Sequence, residues 1–153
     1  MIRGLHHASI TTAEPARLIA FYRDLLGFEV VMETAWSAGN VVADNIYGLK
    51  DSAVRMAMLR TTNAYLEVFA FNHPVGRAGA PDRPVNDAGL THICLCVSDI
   101  DAEYARLTAA GMRFHCPPQG SGAAGRATYG RDPDGNIVEL IEPDPTGPFA
   151  YLG

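Results

Sequence analysis

The pattern of this chain's first half begins again near its middle. A strand that carries a histidine leads into a helix closed by a glycine, and further strands follow. His7 to Gly27 covers 20 steps and His92 to Gly111 covers 19. Such a repeat constrains the fold strongly, because each copy is one supersecondary unit that buries its apolar face against its own parts or its neighbour. Leu5–Thr11 reads as a strand. Pro15 suits a first helical turn, and Leu18, Ile19, Phe21, Tyr22, Leu25 and Leu26 form an apolar stripe that ends at Gly27. Phe28–Thr34, Ala53–Arg60 and Ala64–Phe71 read as strands, and Trp36–Lys50 as a loop or a short helix.

The Pro- and Gly-rich stretch Asn72–Gly89 reads as a linker. The pattern then restarts. Thr91–Val97 is a strand, Ser98 an expected N-cap, and Ile100, Tyr104, Leu107 and Thr108 follow at helical spacing. Met112–Cys116 is expected as a strand, and Pro117–Gly125 as a loop whose Gly120–Gly125 part resembles a lid. Arg126–Arg131 and Asn136–Glu142 form a hairpin around Asp132-Pro-Asp-Gly135. The expected fold is thus α+β, one domain over residues 1–153. Module one takes about 4–71, the linker 72–90, module two about 91–143 and a tail 144–153.

In each half, alternation places a carboxylate where a strand usually carries an apolar side chain. Tyr65, Glu67, Phe69 and Phe71 share one face; Ile137, Glu139 and Ile141 share another. A carboxylate among apolar neighbours is costly unless it is paired or binds a metal. His7 and His92 stand on the first strand of the same halves, so two His and two Glu make a candidate metal site. Alternation turns His6 away from His7, toward packing or solvent. Cys94 and Cys96 share the face of His92 and are expected, with Cys116, as small buried apolar residues. An odd cysteine count agrees with a reducing compartment.

Composition removes several classes of function. The net charge is −5 and there is no basic run, which argues against nucleic acid as a partner. No apolar stretch approaches the roughly 20 residues that span a bilayer, and Met1–Arg3 lacks the layout of a signal peptide. A cytoplasmic protein acting on a small molecule is expected.

His7-Ala-Ser-Ile with Phe21-Tyr22-Arg23-Asp24-Leu25-Leu26-Gly27, Tyr65-Leu66-Glu67-Val68, Thr91-His92-Ile93-Cys94-Leu95-Cys96-Val97 and Asp132-Pro133-Asp134-Gly135-Asn136-Ile137-Val138-Glu139-Leu140 occur in order through both halves. Together they resemble the vicinal oxygen chelate superfamily, which includes glyoxalase I, methylmalonyl-CoA epimerase, extradiol dioxygenases and the fosfomycin and bleomycin resistance proteins. The resemblance implies paired βαβββ modules whose curled mixed sheet surrounds a metal-binding cleft. It implies ligands at the first and fourth strand of each module: His7, Glu67, His92 and Glu139. One divalent ion (Ni, Co, Mn, Zn or Fe) follows from that set, and the resemblance further implies a homodimer, the form many relatives take.

The implied chemistry is that of a metal-dependent lyase or isomerase of the glyoxalase or epimerase kind. It takes a proton next to a metal-bound carbonyl, with Glu67 or Glu139 as base. The glyoxalase I form with this ligand set has an arginine where Thr11 stands and Asn-Trp in the region of Phe69-Ala70-Phe71. The epimerases often have glutamine at the position of Glu67. Tyr129, ten residues before Glu139, stands where extradiol dioxygenases place an acid–base tyrosine. Tyr129, Phe69 and Arg126 are expected near substrate. The alternatives are an extradiol-type ring-cleaving dioxygenase and a non-catalytic small-molecule-binding or resistance protein.

Overall fold

The computed structural model describes Met1–Tyr151. Within it the chain forms two compact units, Met1–Gly79 and Ala80–Gly153, whose described parts each carry one four-stranded mixed sheet and its helices. The fold class is α+β, with open, curled sheets.

The first unit runs β1 (His7–Thr11), α1 (Pro15–Ala20), β2 (Glu29–Trp36), α2 (Val41–Tyr47), β3 (Ala53–Arg60) and β4 (Tyr65–His73). The strand order is β1-β4-β3-β2, so the first and last strands of the unit lie side by side and parallel. Pro15 opens α1, and a wide π turn over Phe21–Leu25 extends it. Gly27 then reverses the chain at φ +75°, a conformation that costs glycine little. The core lies under this helix. Leu18 and Tyr22 are fully buried, and alternation brings Ala57, Leu59, Leu66, Val68 and Ala70 to meet them.

The second unit repeats the plan with β5 (His92–Cys96), α3 (Ile100–Ala109), β6 (Arg113–Phe114), β7 (Arg126–Arg131) and β8 (Ile137–Glu142), in the order β5-β8-β7-β6. Ile100, Leu107, Met112, Val138 and Leu140 form its core. The repeat is incomplete in one respect. Where the first unit has α2, the second has only a 3-10 turn at Gly122–Ala124.

Several sequence expectations are corrected. Leu5 and His6 precede β1, and Leu5 is exposed. Of the two readings of Trp36–Lys50 the short helix holds, capped by the Asn40 side chain accepting from the Ala43 N–H at 3.1 Å. The cap of α3 is Asp99, accepting from the Ala102 N–H at 3.0 Å, in place of Ser98. Of Met112–Cys116 only Arg113–Phe114 pairs as strand. All three cysteines are exposed. Cys94 and Cys96 share the sheet face of Glu139 and Ile141, away from the core residues Val138 and Leu140.

The linker is shorter than the composition of Asn72–Gly89 suggests. β4 runs on to His73, and the second unit claims the other end. The Arg131 guanidinium donates to the carbonyls of Pro81 (3.2 Å), Arg83 (2.9 Å) and Gly135 (2.7 Å). Gly135 stands at φ +89°, and a Cβ there would collide with the backbone of Pro81. The turn itself is held by buried Asp132, whose Oδ1 accepts from the N–H groups of Asp134 and Asn136 at 2.9 Å each. Of the tail, Leu152 and Gly153 lie outside the described residues.

Candidate metal centre

Each parallel seam joins a histidine to a glutamate. In the first unit His7 pairs in register with Tyr65 and Ser9 with Glu67. The Glu67 side chain leans along the seam, so that His7 Nε2 and Glu67 Oε2 are 3.5 Å apart. In the second unit His92 pairs with Ile137 and Cys94 with Glu139, and His92 Nε2 lies 3.0 Å from Glu139 Oε2. The glutamates are largely covered, at 13% and 15% side-chain exposure; the histidines are more open. The carboxylates therefore do not sit in the cores. They sit on the opposite sheet faces, where period-two alternation puts everything between Leu66, Val68 and Ala70.

This donor chemistry suits a divalent ion. Imidazole nitrogen and carboxylate oxygen bind such ions at about 2.0–2.2 Å, which puts two donors at a right angle about 3 Å apart. Both pairs are near that separation without a metal. The structure brings together two pairs, one within each unit. Among the described residues there is no group of three or more His, Cys, Asp or Glu placed to hold an ion.

A phenol accompanies each glutamate. Tyr129 on β7 is the register partner of Glu139, and its ring lies 5.1 Å from that of His92. Burial, and then the charge of Glu139, hold its hydroxyl in the neutral form to higher pH than usual. In the first unit Met58 takes the register position opposite Glu67, and Tyr47 reaches in from the end of α2. Its hydroxyl is raised by burial and by Glu67. Tyr47 stacks on Trp36 at 5.9 Å and meets Phe69 and Phe71 edge-on at 5.6 and 5.9 Å. These four rings form an apolar wall on the face of Glu67. Phe69 is buried within it.

Cys94 also borders Glu139. Its thiol is pushed up to about 12, first by desolvation and then by the neighbouring carboxylate, and so stays protonated at neutral pH. Arg126 is committed elsewhere: its guanidinium makes a two-pronged contact with Asp101 on α3, at 2.5 and 2.9 Å. Arg131 serves backbone carbonyls.

Two members of this environment escaped the sequence. Tyr47 lay in the stretch left open between loop and helix. His6 does not turn away from His7; their Nδ1 atoms are hydrogen-bonded at 2.8 Å. Alternation does not govern His6, because the strand starts one residue later.

The Glyoxalase/Bleomycin resistance protein/Dioxygenase superfamily model matches residues 4–140. The chain belongs to this superfamily. Among curated relatives, the uncharacterized protein YaeR of Escherichia coli is 27% identical over 92% of this chain and 97% of its own length. Glyoxalase I of Saccharomyces cerevisiae is 25% identical over 90% of this chain, which corresponds to 44% of the yeast protein. Among solved structures, a glyoxalase family protein from Bacillus cereus aligns over 94% of this chain and 95% of its own, with TM-score 0.84 and 23% identity. Among other solved structures of similar fold, a fosfomycin resistance protein from Listeria monocytogenes is complexed with Mn(II) and 1S,2S-dihydroxypropylphosphonic acid, and TnmS3 from Streptomyces is an antibiotic binding protein. Among the described residues no helix is long and apolar enough to cross a membrane.

Proposed function

We propose that His7, Glu67, His92 and Glu139 together hold one divalent ion of the Ni, Co, Mn, Zn or Fe group. The protein is then a metal-dependent lyase or isomerase of the glyoxalase or epimerase kind, acting next to a carbonyl of a small molecule. The observation that carries this is the recurrence of one His Nε2–Glu Oε2 pair on the same seam of both units.

A bound ion would draw electron density from the substrate carbonyl and acidify the adjacent C–H. The chain's own groups do the rest. His7 and His92 supply neutral nitrogen donors. Glu67 and Glu139 each carry two oxygens, so one can remain a ligand while the other takes the C–H proton and returns it at the neighbouring carbon. Tyr129, beside Glu139 and held neutral, would donate to a developing oxygen charge. Trp36, Tyr47 and Phe71, packed around Phe69, would offer an apolar surface to an alkyl or aromatic substituent. The three free thiols suit a reducing, cytoplasmic setting. A homodimer is the proposed assembly, to be checked by sedimentation.

The test joins metal analysis to turnover. Protein purified without chelator should contain about one ion per chain, and 2-oxoaldehyde–thiol adducts and acyl thioesters should be screened for exchange of the C–H proton in deuterated water. Glu67→Gln or Glu139→Gln should keep the metal and lose about 100-fold or more in turnover. Unchanged turnover in both variants, or no metal after reconstitution, overturns the reading. A second reading has one observation behind it: Tyr129 stands directly opposite Glu139 and beside His92. Iron as the native metal, with cleavage of a catechol, would favour a ring-cleaving dioxygenase.

A further inference from the structure

The far edge of each site histidine is held by the side chain of the residue before it. His6 Nδ1 lies 2.8 Å from His7 Nδ1, and Thr91 Oγ1 lies 2.9 Å from His92 Nδ1. In both units this leaves Nε2 as the nitrogen that faces the glutamate. The two partners differ in chemistry and agree in function. Each follows no alternation rule, because it stands just outside the strand that begins with the histidine. His6 is fixed in its turn: its ring stacks on Tyr65 at 4.9 Å with an interplanar angle of 20°.

A neutral imidazole that binds a metal through Nε2 must carry its proton on Nδ1, and that N–H needs an acceptor. A neutral His6 nitrogen and the Thr91 hydroxyl oxygen can both accept. Both can also donate. Without metal, a histidine whose Nδ1 accepts from such a partner carries its proton on Nε2 and points that N–H at the glutamate. When an ion arrives, the same partner accepts from Nδ1–H. A carboxylate in this place could only accept, and a lysine could only donate. An ambident neighbour serves both states without moving a ring.

We propose that His6 and Thr91 are positioning residues that hold the Nδ1 edges of His7 and His92 and so direct Nε2 to the metal. This rests on the metal-site reading above, and the test separates the two. Zn(II) binding is measured by competition with a chromophoric chelator for the full chain and four variants. His6→Phe keeps a flat ring on Tyr65 and removes the nitrogen; Thr91→Val keeps the shape and removes the hydroxyl. Each should weaken Zn(II) about tenfold or more, the usual cost of losing a partner behind a ligand. Thr91→Ser and His6→Asn, which restore a polar atom, should recover most of that loss.

Long-range 1H–15N spectra of the Zn(II)-loaded chain add a readout that packing alone would not move. They should show Nδ1 protonated and Nε2 bound in both histidines. Wild-type affinity retained in His6→Phe and Thr91→Val overturns the assignment and leaves the metal reading standing. Coordination through Nδ1 does the same. A wild-type chain that takes up no Zn(II) overturns both. Thermal melting of each metal-free variant identifies any that fails to fold, and the spectra of the wild type then decide.

Discussion

Arg126 and Arg131 bracket one short strand and have opposite fates. Arg126 holds an exposed carboxylate, and ion pairs of that kind contribute little because water and salt screen them. Arg131 donates to three backbone carbonyls and ties residues 81–83 to the turn at Gly135. Arg131→Ala should lower stability by about 1–3 kcal/mol, because several acceptors lose their donor together. Arg126→Ala should leave the urea midpoint unchanged within error. Equal effects in the two unfolding curves would contradict this division. Neither fate was legible in the sequence, since both arginines are polar residues at strand ends and their partners lie far along the chain. Glu67 and Glu139 were legible, because a carboxylate at an apolar strand position violates a local rule. His6 was misread because that rule stops where the strand stops.

At the scale of elements, α2 shows why a short helix escapes periodicity. Its apolar residues Val41, Val42 and Ile46 are exposed and Ala43 alone among its residues is buried, so the helix shows no apolar stripe. The helix is instead fixed by the Asn40 cap and by Asp44. Asp44 accepts from the N–H groups of Asp51 (2.9 Å) and Ser52 (2.8 Å), and with the Ser52 hydroxyl these hold its carboxyl below the usual carboxylate range. A carboxylate with a depressed folded-state pKa contributes stability above its unfolded value, about 3.9, and loses it as pH falls through the folded value. The single tryptophan reports on this, since Trp36 stacks on Tyr47 at the end of the helix. Its emission should hold steady down to about pH 5 and change only below about pH 4. Asp44→Asn should show the altered emission already at neutral pH; identical spectra would refute the anchoring. The longer helices were legible because each presents a stripe to a sheet. Leu18→Ala and Leu107→Ala should each cost about 2–5 kcal/mol in equilibrium unfolding, as truncations of fully buried side chains.

For the whole molecule, the duplication was plain in the sequence and the division of labour between copies was not. The two units share a strand order and a His–Glu seam but differ in what surrounds it, an aromatic wall in one and Tyr129 with Cys94 in the other. If the four ligands serve one ion, His92→Ala combined with Glu139→Gln should abolish uptake rather than halve it. Elemental analysis that finds half the metal remaining would mean that each pair works alone. The parallel seams also bear on how the protein comes into being. His7 and Glu67 are 60 positions apart in sequence, His92 and Glu139 are 47, and in each unit the seam joins the first strand made to the last. A chain leaving the ribosome therefore finishes nearly a whole module before its histidine meets its glutamate. Such distant pairings form late, after the local helix and hairpins have begun to set. If the seams hold an ion as proposed, its selection waits until a module has taken shape, and a nascent chain offers passing metals only isolated donors.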